Sequence, residues 1–258
     1  MASLASKVVL ITGASSGIGA ATSRHFVGLG CRLAITGRNA DNLEKTAADC
    51  RKIKSGAEIL TIVGDLAKEE DVKRVFDATI NHYKEIDVLV NNAGILTLGS
   101  IETTPLEDFD RVMNINVRAM FQLTQLAVPY LVKSKGAVVN VSSVNGLRSF
   151  PGVLSYCVSK AAVDMFTQCT ALDLAAKGVR VNAVNPGVII TELQKRGGLS
   201  EEKYAAFIER SKTTHALGRP GDVDEVAKAI AFLASDDASF TTGATFPVDG
   251  GRHAMCPR

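Results

Sequence analysis

The sequence has no C-x-x-C pair, no clustered histidines and no apolar run long enough to cross a membrane. Each absence removes a class of function. Five cysteines, Cys31, Cys50, Cys157, Cys169 and Cys256, are scattered and odd in number. That pattern argues against a disulfide framework and for reduced thiols in a cytoplasmic setting. The four histidines are isolated and no H-E-x-x-H occurs, so no metal centre is expected. A membrane span needs roughly eighteen consecutive apolar residues, and no segment approaches that. Residues 1–7 lack the apolar core of a secretory signal. The net charge is only +2, so no basic face for a polyanion is implied and nucleic acid is not an expected partner.

What is present is ordinary globular material. Hydrophobic residues make up 46% of the 258 and charged residues 22%, enough to bury a substantial core. Short apolar runs at 8–11, 32–36, 58–63, 88–91, 137–141, 180–184 and 245–248 read as strands. Several are apolar without alternation, as expected of strands covered on both faces. Between them lie helical stretches at 17–29, 40–54, 69–83, 106–132, 155–177 and 222–234. This alternation implies right-handed crossovers and a parallel sheet. The expected fold is therefore α/β: a Rossmann-like, doubly wound parallel sheet of about seven strands, flanked by helices, in one domain over 1–258. No linker, repeat or low-complexity tract interrupts it.

Residues 188–221 break the rhythm, with short helical pieces and no strand. A loop of that length in a compact domain is usually functional. Leu193, Leu199, Tyr204 and Phe207 give it an apolar side, so a substrate lid is expected.

Two motifs carry chemistry. The first is Thr12-Gly13-Ala14-Ser15-Ser16-Gly17-Ile18-Gly19, between a strand and a helix. Its glycines permit a tight turn and a close approach of backbone N–H groups to a pyrophosphate. The helix amino terminus adds partial positive charge. The second strand ends in Gly37-Arg38-Asn39. A carboxylate here commonly accepts from the ribose 2′-hydroxyl of NAD. Gly37 removes it and Arg38 supplies a guanidinium suited to a 2′-phosphate. NADP(H) is therefore the preferred cofactor, with NAD(H) possible because Ser16 stands where a second basic residue would help. At the third strand's end, Gly64-Asp65-Leu66, Asp65 either accepts from an adenine amino group, or caps the following helix, or does both.

The second motif is Tyr156-Cys157-Val158-Ser159-Lys160, with Ser143 upstream at a strand end. Phenol and ammonium four residues apart share one helix face. Cys157 is either a small filler on a packed helix or a reactive thiol.

Together these motifs resemble the short-chain dehydrogenase/reductase family, in its 3-oxoacyl-acyl-carrier-protein-reductase-like branch, over essentially the whole chain. The resemblance implies a catalytic set of Asn116, Ser143, Tyr156 and Lys160, Asn116 fitting better than Asn114 and Ser143 better than Ser142. It implies cofactor contacts from Gly13, Ser15, Ser16, Gly17, Ile18, Gly19, Arg38, Asn39, Asp65 and Leu66. Further contacts are implied from Asn92, Ala93 and Gly94, from Tyr156 and Lys160, and from Pro186, Gly187, Ile189 and Thr191. Tyr156 is then the general acid/base of carbonyl–alcohol interconversion, with Lys160 favouring its phenolate and Ser143 holding the substrate oxygen. Asn116 would hold a water linking Lys160 to solvent. The substrate pocket would include Ser143, Asn145, Val153, Tyr156, Val188 and Leu193, near Leu96. That lining suits a hydrophobic small-molecule carbonyl or alcohol of steroid, retinoid, isoprenoid or 3-oxoacyl type. An NAD-dependent hydroxysteroid or secondary-alcohol dehydrogenase, and a non-catalytic cofactor-binding protein, are the alternative readings. The family's assembly implies a homotetramer through 106–132, 155–177 and 243–251. The tail 253–258 would reach a neighbouring subunit's cleft or fray.

Overall fold

The computed structural model describes residues 4–255; of the tail expectation over 253–258, residues 256–258 lie outside the described residues. Seven parallel strands form one sheet, in the order β3-β2-β1-β4-β5-β6-β7. The chain runs β1 (Val8–Thr12), α1 (Gly17–Gly28), β2 (Arg32–Gly37), α2 (Ala40–Ile53), β3 (Ile59–Val63), α3 (Glu69–Tyr83) and β4 (Val88–Asn91). It continues with α4 (Leu106–Met113), a π turn (Asn114–Arg118), α5 (Ala119–Ser134), β5 (Ala137–Val141), α6 (Val144–Leu147) and α7 (Leu154–Ala175). Then come β6 (Arg180–Pro186), α8 (Leu193–Arg196), α9 (Glu201–Thr214), α10 (Val223–Ala234) and β7 (Thr245–Val248).

The central strand explains the layers. All five residues of β1 are buried. Val9 and Ile11 join one core with Phe26 of α1, Leu43 of α2 and Ile230 of α10. Val8 and Leu10 join the other, with Val75 of α3, Leu131 of α5 and Leu174 of α7. Successive side chains of a strand point to opposite faces, so an unbroken apolar run serves both. Strand order reverses between β1 and β4, and that is where a crevice opens at the strands' carboxyl ends.

Helix boundaries follow local chemistry. The Asn39 side chain accepts from Asn42 N–H at 2.7 Å and caps α2. Asp222 and Glu225 form a reciprocal capping box on α10. The helix expected over 106–132 is interrupted: Asn114–Arg118 form a π turn between α4 and α5. The short α6 after β5 was not expected from the pattern. Residues 188–221 hold α8 and α9, and an isolated bridge pairs Ile189 with Gly221 at the segment's base.

Candidate active site

The glycine turn leaves β1 and enters α1 at the crevice. Gly13 and Gly17 have φ of 66° and 54°, a region side-chain-bearing residues rarely occupy. A Cβ on Gly13 would lie 2.9 Å from Ala93 Cα, and one on Gly19 would collide with the Gly13 carbonyl oxygen. Thr12 ties this turn to the next strand: its Oγ1 accepts from Asn92 N–H at 2.9 Å and Ala93 N–H at 3.0 Å. Asn92 Nδ2 donates back to Thr12 O at 2.8 Å and Gly13 O at 3.2 Å. Two loops with little side-chain bulk are thus locked together. Ser15 packs against Gly37, where an added Cβ would meet Ser15 Oγ at 2.9 Å. A carboxylate-bearing residue at 37 would therefore displace the turn. Arg38 follows, exposed. Ile18 and Leu66 are partly buried against the two cores.

Asp65 does not cap α3. The N-cap position is Lys68, with no side-chain cap bond. Asp65 Oδ1 instead accepts from Ala67 N–H at 3.2 Å, two residues on, a local turn that keeps the carboxylate at the strand end.

Ser143, Tyr156 and Lys160 converge. Ser143 ends β5 and caps α6, its Oγ accepting from Asn145 N–H at 3.1 Å. The hydroxyl donates in turn to Asn145 Oδ1 at 3.2 Å. Tyr156 and Lys160 lie one turn apart on α7 and are buried, at 7% and 4% exposure. Lys160 Nζ donates to Val141 O at 2.7 Å and sits 5.5 Å from the Tyr156 ring centre. Burial disfavours the charged form of each, which acts in opposite directions. It pushes the Tyr156 phenol up to about 12, against the pull of Ser143. It pushes the Lys160 ammonium down to about 8, opposed by Asp164. The expected lowering of the phenol by Lys160 is therefore not what this arrangement produces by itself; desolvation dominates.

Asn116 lies in the π turn, which swings it inward. Its Oδ1 accepts from Ile95 N–H at 2.8 Å, and its Nδ2 donates to Ile95 O at 2.9 Å and Ser159 Oγ at 3.0 Å. Gly94 is the point of contact: a Cβ there would be 3.4 Å from Asn116 Oδ1 and 3.6 Å from Lys160 Nζ. Asn116, Ile95, Gly94 and Lys160 are thus neighbours across the crevice.

Two buried groups were missed in the sequence. Asp164, one turn beyond Lys160, accepts from Asn185 Nδ2 at 3.0 Å and has its carboxyl held up by burial. The same i, i+4 spacing that singled out Tyr156 and Lys160 extends to it. His215, 3% exposed, accepts through Nε2 from Val188 N–H at 3.1 Å, while its Nδ1 lies 2.8 Å from Ser211 O. That fixes the neutral tautomer with the proton on Nδ1. His215 thereby clamps the loop after Pro186-Gly187, and a Cβ on Gly187 would lie 2.8 Å from its ring nitrogen. No sequence signal marks a lone histidine for this.

The remaining predicted positions fall on several elements. Val188 and Ile189 are buried beside Gly187. Thr191 rests on the glycine turn, its Cγ2 3.3 Å from where a Gly17 Cβ would be. Leu193 begins α8, its N–H bonded to Thr191 Oγ1 at 3.4 Å. Val153 bridges to Gly99, and Asn145 Nδ2 donates to Cys157 Sγ at 3.3 Å. A cavity of about 330 Å³, lined by Val188, Ile189, His215, Asp249 and His253, includes none of Ser143, Tyr156 or Lys160, so it places Val188 and Ile189 apart from the catalytic set. His253 is tied to α6's flank: its carbonyl oxygen accepts from Arg148 Nε at 3.0 Å. Among the described residues no group of His, Cys, Asp and Glu is arranged for a metal, and no helix is long and apolar enough to cross a membrane.

A doubly wound sheet with a glycine cradle at its switch point and a buried Ser–Tyr–Lys set defines a dinucleotide-dependent oxidoreductase. A family model described as enoyl-(acyl carrier protein) reductase matches residues 13–253. A 3-oxoacyl-[acyl-carrier-protein] reductase of Thermotoga maritima is 38% identical over 249 residues, spanning 96% of this chain and 98% of that protein. A meso-2,3-butanediol dehydrogenase of Serratia marcescens is 37% identical, over 96% of this chain and 95% of its own. The structure of levodione reductase superposes with a TM-score of 0.90 at 32% identity, over 98% of this chain and 99% of that one. The chain belongs to the short-chain dehydrogenase/reductase family and is an oxidoreductase acting on CH–OH groups with NAD(P)(H).

Proposed function

We propose that this chain is an NADPH-dependent carbonyl reductase that interconverts a hydrophobic ketone or aldehyde with its alcohol. The observation that carries the reading is the convergence of buried Ser143 and Tyr156 with Lys160 one turn away, facing a loop at Gly94 that has no side chain. When bound, the reduced nicotinamide supplies hydride to the carbonyl carbon. Tyr156 gives the proton to the carbonyl oxygen, and its raised pKa keeps the phenol protonated at neutral pH. Ser143 Oγ donates to the same oxygen as charge develops there. Lys160, still cationic at neutral pH, would stabilise the phenolate left behind and would hold the nicotinamide ribose hydroxyls. Asn116 holds Ile95 with both ends of its amide, so the Gly94 loop keeps its distance from Lys160.

The cofactor would lie on Gly13, Gly17 and Gly19, with Asn92, Ala93, Gly94 and Thr191 along it. The NADPH preference rests on Arg38 and on Ser15 filling the space beside Gly37, where a ribose-binding carboxylate would otherwise stand. The apolar character of Leu96, Val153 and Leu193 supports a hydrophobic substrate, with residues 188–221 as its lid. Free thiols at Cys31, Cys50, Cys157 and Cys169 support a reducing, cytoplasmic setting. Exposed apolar side chains gather on α5 and α7 (Phe121, Met165) and around β7 (Phe240, Phe246), which supports a homotetramer with two-fold contacts.

Absorbance at the reduced nicotinamide band, followed with a panel of hydrophobic ketones, tests the reading. NADPH should be consumed with at least one of them, with a Kd about tenfold below that for NADH, and Arg38→Ala should erase the difference. Equal affinities in the wild type would overturn the NADPH assignment.

The pH profile follows from the two buried groups. Reduction needs the Tyr156 proton and the Lys160 charge. Burial has moved the loss of that charge down to about pH 8, so reduction should fall as pH rises through 8. Alcohol oxidation needs the phenolate, which burial holds back to about 12, so its rise should lie well above pH 8. A reductive rate climbing steadily between about pH 7 and 10 would contradict the assignment of Tyr156 as acid.

A further inference from the structure

We propose that Arg196, carried by α8 in the segment after Gly187, is a phosphate-binding residue of the dinucleotide site. The inference rests on the dinucleotide reading above. The glycine turn from Gly13 to Gly19 contains no lysine or arginine. Its anion-binding power comes from backbone alone, and Ser16, the N-cap of α1, makes no side-chain bond to the first-turn N–H groups. The missing cation arrives from far along the chain. Arg196 Nη1 donates to Ser16 Oγ at 3.1 Å, across 180 residues of sequence.

The placement of this arginine is set by its surroundings. Tyr204 OH donates to Thr191 O at 3.0 Å, which holds the start of the segment. Gly197 packs on Leu96, where an added Cβ would come within 2.5 Å of Leu96 Cδ2. Thr191 lies against Gly17, so the segment touches the turn at two adjacent points. The neighbouring Lys195 is neutralised by Glu201 at 2.9 Å and Glu192 at 3.7 Å. Arg196 forms no ion pair among the described residues.

An uncompensated guanidinium therefore sits beside the amino terminus of α1, whose own partial charge is positive. Arg196 is exposed, so solvent screens that repulsion and leaves it weak. The arrangement becomes favourable when an oxyanion lies between the two, and a guanidinium matches a phosphate's oxygens with paired donors. The chemistry recognised is a phosphate monoanion or dianion. Its source is either the pyrophosphate, common to NADH and NADPH, or the 2′-phosphate of NADPH alone.

Calorimetric titration of the full chain with NADPH and with NADH tests this, for wild type, Arg196→Gln and Arg196→Lys. The glutamine variant should bind NADPH about tenfold more weakly, and its affinity should depend less steeply on salt, because one screened cation has gone. Lysine should recover most of the loss. A parallel loss for NADH assigns the pyrophosphate; a loss confined to NADPH assigns the 2′-phosphate. Unchanged affinity for both dinucleotides in Arg196→Gln would overturn the proposal. So would a loss with an unaltered salt slope and no rescue by lysine, which would mark a packing role. Wild-type protein that binds neither dinucleotide would sink the cofactor reading itself, so the two failures are read apart.

Discussion

Replacing Tyr156 with phenylalanine should reduce kcat by about 10²- to 10⁴-fold, the range a positioned general acid supplies, while NADPH still binds. The substitution removes one oxygen and keeps the ring that fills a site only 7% exposed, so packing should change little. Ser143 Oγ is held by Asn145, accepting from its N–H at 3.1 Å and donating to its Oδ1 at 3.2 Å, and does not depend on the phenol. The melting temperature should therefore stay near that of the wild type, and the effect should appear in kcat rather than in cofactor affinity. Stopped-flow turnover and a parallel cofactor titration measure both quantities. A variant that keeps turning over would remove Tyr156 from the reaction and with it the reductase reading.

The second large effect is expected at Gly19. A methyl there would meet the carbonyl oxygen of Gly13, and Asn92 Nδ2 at 2.5 Å. Neither neighbour is free to move. Gly13 is itself pressed against Ala93, at 2.9 Å from an added Cβ, and Asn92 is bonded to Thr12 O and Gly13 O. Gly19→Ala should therefore push the turn out of shape. Overpacking of this kind costs about 1–3 kcal/mol, which for a chain of this size lowers the melting temperature by several degrees. Dinucleotide affinity should fall by about 10²-fold or more, because the close backbone approach to the phosphates is lost. Gly28→Ala, late in α1, is the matched control. A Cβ there meets only Ile53 Cγ2 at 3.8 Å, and alanine in a helix is worth up to about 1 kcal/mol over glycine. Stability should hold or rise, and cofactor binding should be unaffected. If Gly19→Ala bound dinucleotide like the wild type, the turn would not be the phosphate cradle.

The strands were readable because each is a short apolar run with a turn residue at its end. The runs at 8–11 and 137–141 needed no alternation, since two cores share them. The glycine turn was readable for the same reason its mutants should fail: bulk at 13 or 19 has nowhere to go. The break in the long helix was not readable. Residues 106–132 keep a helical pattern straight through Asn114–Arg118, and only the backbone shows the widened turn that aims Asn116 at Ile95. Asp164 was available to the same spacing argument as Tyr156 and Lys160 but carried no second motif to draw attention to it. His215 and Arg196 depend on chain segments that meet only after folding, so their partners at Val188 and Ser16 had no local signature. Asp65 illustrates the opposite case. Its position suggested a helix cap, and the backbone reached α3 three residues too late for that role.

The widened turn at Asn114–Arg118 has a consequence for how this stretch can vary. A π turn accommodates one residue more than a regular helix of the same rise, and each helical residue turns the chain by about 100°. Losing a single residue there would make the backbone ladder more regular and would rotate everything on α4 relative to α5. Asn116 would leave Ile95, while the helix itself would gain. The length of this segment therefore matters before its letters do: a one-residue deletion should cost Asn116 its contacts with Ile95 whichever residues fill the turn.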